Sequence, residues 1–174
     1  MLPAERFKKV MLRWQKKAQD RMERILMLLT SQSQFKKAFP ERTFSKKRPP
    51  QVFVKLVGKS EMIRLNTRYR GKKRPTDVLS FPAPLVFTQE GILGELILCW
   101  PVVQSQAKEC RHGISAELDV LLVHGVLHLL GMDHELGAKE AEEMAFWEKK
   151  LLKALISTGQ TGLIRRAHSG IKGK

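Results

Sequence analysis

The chain has 174 residues, with 32 Lys/Arg against 17 Asp/Glu, a formal net charge of +15 and a pI near 10.2. That length suits one domain with a modest core, and the positive excess favours polyanionic partners, nucleic acid first and an anionic membrane surface second. The two cysteines, the lack of a secretory leader and the lack of an apolar run of membrane-spanning length predict a reducing, cytoplasmic setting without membrane insertion.

In chain order, the first expected element is an amphipathic helix from Ala4 to Leu29. Phe7, Val10, Met11, Trp14, Ala18, Met22, Ile25 and Leu29 recur at three- and four-residue steps. Lys8, Lys9, Arg13, Lys16, Lys17, Arg21 and Arg24 are expected on its outer face. Glu5, Asp20 and Glu23 argue against an organelle transit peptide. Residues 31–50 read as a linker broken by Pro40, Pro49 and Pro50. Residues 1–50 hold fourteen Lys/Arg and four Asp/Glu, so a net +10 of the +15 lies there, a reasonable arm for tracking phosphates.

A compact pattern begins at Gln51. Val52–Val57 is an apolar, β-branched strand ended by Gly58. Ser60 is expected to cap a short helix through Asn66. Val78–Phe81 forms a second strand, stopped by Pro82 and Pro84, and Leu93–Cys99 a third, ending before Pro101. Cys99, in that apolar run, is expected to be a buried thiol. Val102–Cys110 is expected to be helical. Ser115 is expected to cap a core helix through Leu130, and Ala138–Ile156 forms the last helix, anchored by Met144, Phe146, Trp147, Leu151, Leu152 and Leu155. This predicts a basic N-terminal helix and linker (1–50), a metal-binding catalytic core (51–156) and a basic flexible tail (157–174).

The core helix carries His124-Gly-Val-Leu-His128-Leu-Leu-Gly131-Met-Asp133-His134. Residues four apart share one helical face, so His124 and His128 can aim two imidazoles at one point. Gly131 can end the helix in the left-handed conformation and let the chain bring His134 back. Three nitrogen ligands with an open fourth position describe a catalytic zinc site. His112 and His168 have no such neighbours and read as ordinary surface or loop residues. The spacing HxxxHxxGxxH is shared with metzincin proteases, which place a glutamate after the first histidine as general base. Here that position is Gly125. A helical glycine costs about 1 kcal/mol relative to alanine, which suggests close packing or substrate approach at this point. Asp133 has two readings of equal weight: a loop carboxylate capping the next turn, or one orienting a ligand or an attacking water. Glu135, Glu140, Glu142 and Glu143 read as a solvated face.

Between the first two core strands, Arg68, Arg70, Lys72, Lys73 and Arg74 cluster around Tyr69. Such a loop can serve as an RNA-binding clamp, with guanidinium groups forking onto phosphate oxygens. Two blocks here, Leu65–Pro82 (LNTRYRGKKRPTDVLSFP) and His124–His134 (HGVLHLLGMDH), resemble the YbeY family of endoribonucleases of ribosomal RNA maturation. Leu93-Gly94-Glu95-Leu96-Ile97 is similar to the family's Gly-acid-apolar strand, and the likeness spans roughly residues 51–156. The resemblance implies an α+β fold, a small mixed sheet packed against helices, with the three-histidine metal site at the end of a core helix. It implies one zinc ion on His124, His128 and His134, and Arg70 matches a functionally important arginine of the family. It implies single-stranded RNA as substrate, chiefly small-subunit ribosomal RNA precursors, and a role at the small ribosomal subunit in assembly and quality control.

Family members usually begin with a strand before the first helix, whereas here the helix begins almost at Met1. Either that strand is absent or the reading frame starts late, and an absent strand would leave the sheet with one strand fewer and an exposed edge. Arg70 and Asp133 are the expected catalytic residues of a metal-assisted phosphodiester cleavage. Two other classes compete. One is a ribosome-binding assembly factor with a structural metal, whose ligand mutants would lose stability while RNA binding by the folded fraction persisted. The other is a zinc metalloprotease, which would cleave unstructured protein but not RNA.

Overall fold

The computed structural model describes residues 4–32 and 49–159. Most of the expected linker 31–50 and nearly all of the expected tail 157–174, with His168, lie outside the described residues. Among the described residues are six helices and three strands: α1 (Ala4–Ser31), β1 (Gln51–Val57), α2 (Lys59–Arg70), β2 (Val78–Pro82), α3 (Leu85–Gln89), β3 (Ile92–Cys99), α4 (Trp100–Glu109), α5 (Ile114–Leu129) and α6 (Ala138–Ser157). The short α3 was not anticipated. It begins directly after Pro84, whose carbonyl accepts the Phe87 and Thr88 amides.

The strands form one mixed sheet in the order β1-β3-β2, with β1 parallel and β2 antiparallel to β3. Side-chain alternation sends successive residues to opposite faces. Leu96 and Leu98 of β3 join the larger cluster with α1, α4, α5 and α6, while Ile97 and Cys99 join Met62 and Leu65 of α2. In β2, Val78 faces the first cluster and Leu79 the second. The sheet is thus covered on both faces at β3, whose central position buries the apolar run Leu96–Cys99 throughout, whereas β1 leaves Gln51, Phe53 and Lys55 exposed on one face. This is the expected α+β fold.

Helix α5 lies at the centre, with every residue from Ala116 to Leu127 buried. Its buried Asp119 is paired across the core. Arg21 of α1 meets Asp119 with both oxygens, Nε to Oδ1 at 3.0 Å and Nη2 to Oδ2 at 3.1 Å. Arg21 does not belong to the outer basic face predicted for α1, because this bidentate contact turns it inward. Ser60 and Ser115 make no side-chain caps. The helices start two residues earlier, with Gly58 and Gly113 as N-caps whose carbonyls accept the first amides. Phe146, expected as an anchor of α6, is exposed and lies under Lys150.

The outer edge of β1 is not left bare. Gln15 Nε2 donates to the Val54 carbonyl, and Gln15 Oε1 accepts from the Leu56 amide at 2.7 Å. One turn on, Gln19 Nε2 donates to the Val52 carbonyl at 3.1 Å and its Oε1 accepts from the Val54 amide at 3.0 Å. Each carboxamide offers one donor face and one acceptor, as a peptide unit does. The pair satisfies the edge groups that a further strand would have bound. At about 0.5–1.5 kcal/mol net for each of the four hydrogen bonds, Gln15→Ala with Gln19→Ala is expected to cost about 2–6 kcal/mol in urea unfolding. A loss below about 0.5 kcal/mol would mean that water replaces the amides without penalty.

Candidate metal centre and active site

The last turn of α5 is built to release the chain toward its own histidines. Gly131 has φ 86°, its amide donates to His128 O at 2.9 Å, and the Met132 amide donates to Leu127 O at 3.0 Å. This is a Schellman stop, for which a left-handed glycine is the favoured residue. It returns His134 over the helix end. The ring centroids of His124, His128 and His134 lie 4.6 Å, 5.3 Å and 5.2 Å apart pairwise, and one nitrogen from each ring lies within 4.8 Å of the others.

Three observations test whether these residues fit a cation. His124 Nε2 and His128 Nε2 face each other at 3.1 Å, and two nitrogens ~2.0–2.1 Å from one tetrahedral zinc ion sit about 3.3 Å apart. His134 Nδ1 is buried and has no hydrogen-bond partner among the described residues, an orphan that coordination would satisfy. Burial, with smaller contributions from His124 and His134, holds the His128 ring at about 4, well below its ordinary 6.5, while Asp133 opposes that shift. A ring so depressed is neutral near pH 7 and keeps its lone pair for a metal. The residues fit a borderline cation such as zinc.

One supporting residue was not anticipated. Glu148 Oε1 of α6 lies 2.7 Å from His124 Nδ1. A proton held there leaves His124 Nε2 as the free donor atom, the carboxylate–histidine arrangement common around bound metals. A signal was present in the sequence: Glu148 lies on the stripe of Met144, Trp147, Leu151 and Leu155, an acid among buried apolar residues. Loss of such a carboxylate typically lowers metal affinity 10–100-fold. Glu148→Ala is expected to fall in that range by competitive zinc titration, and an unchanged affinity would show that the contact does not orient His124.

The cluster opens into a cleft of about 400 Å³, lined by Arg70, Lys72, Thr76, Asp77, Val78, Ser80, His124, His128, Asp133, His134 and Glu135. Arg70 and Lys72 arrive there because α2 ends at Gly71, where φ is 68°. A smaller recess of about 170 Å³ adjoins it and adds Arg74. Arg68 and Lys73 line neither cavity; Arg68 lies over the Tyr69 ring. Asp133 lines the cleft and also accepts the Glu135 amide at 2.9 Å. Glu135 is a cleft residue as well as part of the acidic face. Asp77, which the sequence did not single out, is buried and accepts from the Val78 amide, Thr76 and Gln106.

Gly125 is explained by packing. A Cβ there would lie 2.8 Å from both Cδ atoms of Leu96. At the position that holds the general base in metzincins, a side chain would fit only if Leu96 moved.

His112 lies in the turn between α4 and α5, a loop position as expected, but not on the surface. Its side chain is 0% exposed and Nε2 lies 2.6 Å from Glu117 Oε2. No helix of the described residues is long and apolar enough to cross a membrane.

Fold and site together define a small α+β protein with a three-imidazole cluster, able to hold a cation, in a cleft edged by two cationic side chains. The chain belongs to the Endoribonuclease YbeY family: the family's sequence model matches residues 6–156 and so takes in most of α1. Endoribonuclease YbeY of Alkalilimnicola ehrlichii is 44% identical over 110 residues, 62% of this chain and 66% of the relative. Endoribonuclease YbeY of Aquifex aeolicus is 38% identical over 105 residues, 60% of this chain and 70% of the relative. The solution structure of TM1509 from Thermotoga maritima is similar at 29% identity and a TM-score of 0.50, over 85% of this chain and 92% of that one. The family membership supports an endoribonuclease function.

Proposed function

We propose that this chain is a zinc-dependent endoribonuclease that cleaves single-stranded RNA, acting on small-subunit ribosomal RNA precursors in the cytoplasm. The observation that carries this reading is the convergence of three imidazoles beside Arg70 in one cleft. His124, His128 and His134 would hold one zinc ion, which supplies Lewis acidity toward a phosphoryl oxygen or an attacking water. Arg70 pairs with the scissile phosphate and offsets charge that develops on it. Lys72 and Arg74 take neighbouring phosphates, while Arg68 and Lys73 extend the basic approach outside the two cavities. Asp133, fixed by the Glu135 amide, orients the nucleophile or a ligand ring. The net +15 supports association with ribosomal RNA and the small subunit.

The test combines chelation with Arg70→Ala. Chelated protein is expected to lose cleavage of single-stranded RNA and regain it with zinc. Arg70→Ala is expected to lower turnover about 100–1,000-fold, more than it weakens RNA binding. Equal losses in both would reduce Arg70 to a positioning contact. Cleavage indifferent to chelation, in protein shown to be metal-free, would overturn the reading. A 2′,3′-cyclic phosphate product would assign attack to the ribose 2′-hydroxyl, and a 5′-phosphate to water.

A further inference from the structure

A second cluster of metal-ligating side chains lies at the opposite end of α5. Cys110 is the residue at which α4 ends, His112 lies in the turn, and Glu117 is in the first turn of α5. One ligand atom from each lies within 4.8 Å of the others. The side chains of His112 and Glu117 are fully buried, whereas Cys110 is half-buried. Glu117 and His124 are seven residues apart on one helix, about 10 Å along its axis, so this cluster is separate from the three-histidine site.

We propose that Cys110, His112 and Glu117 form a second divalent-cation site of the zinc class, tying the end of α4 to the start of α5. Four arguments support it. The donors are sulfur, nitrogen and oxygen, a set that suits zinc and not the all-oxygen preference of magnesium or calcium. A thiolate and a carboxylate together balance a divalent ion, so the buried site is neutral when filled. His112 Nε2 and Glu117 Oε2, 2.6 Å apart, share a proton that a cation would replace. The turn is also bent to bring the donors together. Arg111 has φ 52°, the one non-glycine residue with positive φ among the described residues, a left-handed conformation that a side chain disfavours. Binding breaks the thiol S–H bond and removes the shared proton, both protons passing to solvent as the metal–ligand bonds form.

The ion would fix the entry of the helix that presents His124 and His128. The neighbouring face of Cys110, open to solvent, leaves room for water as a fourth ligand.

The experiment uses the full chain, stripped of metal under reducing conditions and titrated with cobalt(II). A thiolate-to-cobalt charge-transfer band in the near ultraviolet is expected. The three-histidine cluster contains no sulfur and cannot produce that band. Cys99, the other cysteine, is 0% exposed on β3. The band is expected to vanish in Cys110→Ser, a near-isosteric change at a half-buried position, and to persist in His128→Ala. Bound zinc is expected to fall from about two ions per chain to about one in each single variant and to about none in the double variant. No band in folded wild-type protein, or equal zinc content in wild type and Cys110→Ser, would overturn the proposal and leave a metal-free His112–Glu117 hydrogen bond. If only the three-histidine reading fails, wild type holds about one ion and Cys110→Ser about none, so the two failures are distinguishable.

Discussion

RNA cleavage by His128→Ala is expected to fall about a hundred- to ten-thousand-fold, with the fold intact. A catalytic metal supplies several kcal/mol of transition-state stabilisation, and each 1.4 kcal/mol is a factor of ten in rate. His128 is the ring whose Nε2 lies 3.1 Å from that of His124, so its loss removes one of three donors and leaves a pair that binds zinc weakly. The rest of α5 should tolerate the change. His128 is half-buried at the end of the helix, and alanine is the better helix former. Far-ultraviolet dichroism and metal-free unfolding should therefore stay close to wild type at pH 7. The same comparison has a pH signature. The folded His128 sits at about 4 against an ordinary 6.5, so the unfolded chain binds more protons between those values. Metal-free wild-type protein should then lose stability as pH falls from 6.5 toward 4, and His128→Ala should lack that part of the loss. Equal cleavage by both proteins would point to a contaminating nuclease and move the reading to a ribosome assembly factor.

Gly94→Ala is expected to be the most damaging single methyl in the sheet. The backbone at Gly94 has φ 149°, and a Cβ there would stand 2.2 Å from the Phe81 carbonyl oxygen, 3.0 Å from Leu129 Cδ2 and 3.1 Å from the Ala83 amide nitrogen. The first contact is with backbone, so no side-chain rotation relieves it. Gly94 pairs with Pro82 across the β2–β3 ladder, and the Ala83 amide donates to Leu93 O at 2.9 Å just beyond. Room can come only from moving β2 away from β3. That places the substitution among the large-effect class, about 3–5 kcal/mol or more, or roughly 6–20 °C in Tm for a chain of this size. Because β2 also carries Val78 and Ser80 of the cleft, cleavage should fall with stability. A thermal shift under about 2 °C would show that the two strands separate without cost. Gly125→Ala is a milder case, since the clash there is with the movable ends of Leu96 and the helix gains from alanine.

The sequence by itself determined what depends on near neighbours along the chain. The i, i+4 spacing of His124 and His128 needs only helical geometry. The stop at Gly131 needs only a local left-handed turn, and the structure realises it with two backbone hydrogen bonds. The strands and the buried face of α1 follow from apolar patterning in the same way. Two long motif blocks were enough to place the family. Tertiary structure decided everything that joins residues far apart. Glu148 meets His124 across 24 positions, Gln15 and Gln19 reach β1 across 33 to 41, and Arg21 meets Asp119 across 98. In the sequence Gln15, Gln19 and Arg21 are each one more polar residue on an amphipathic helix, indistinguishable from a solvated one, and the position of Glu148 on an apolar stripe does not say which residue it meets. Helix periodicity says which face a residue is on but not what stands opposite it. The same holds for His112, whose burial arises only when the turn after α4 folds it against α5. Gly125 and Gly94 were legible as glycines but not as contacts, because the atoms that exclude a side chain there, in Leu96 and Phe81, are supplied by other strands.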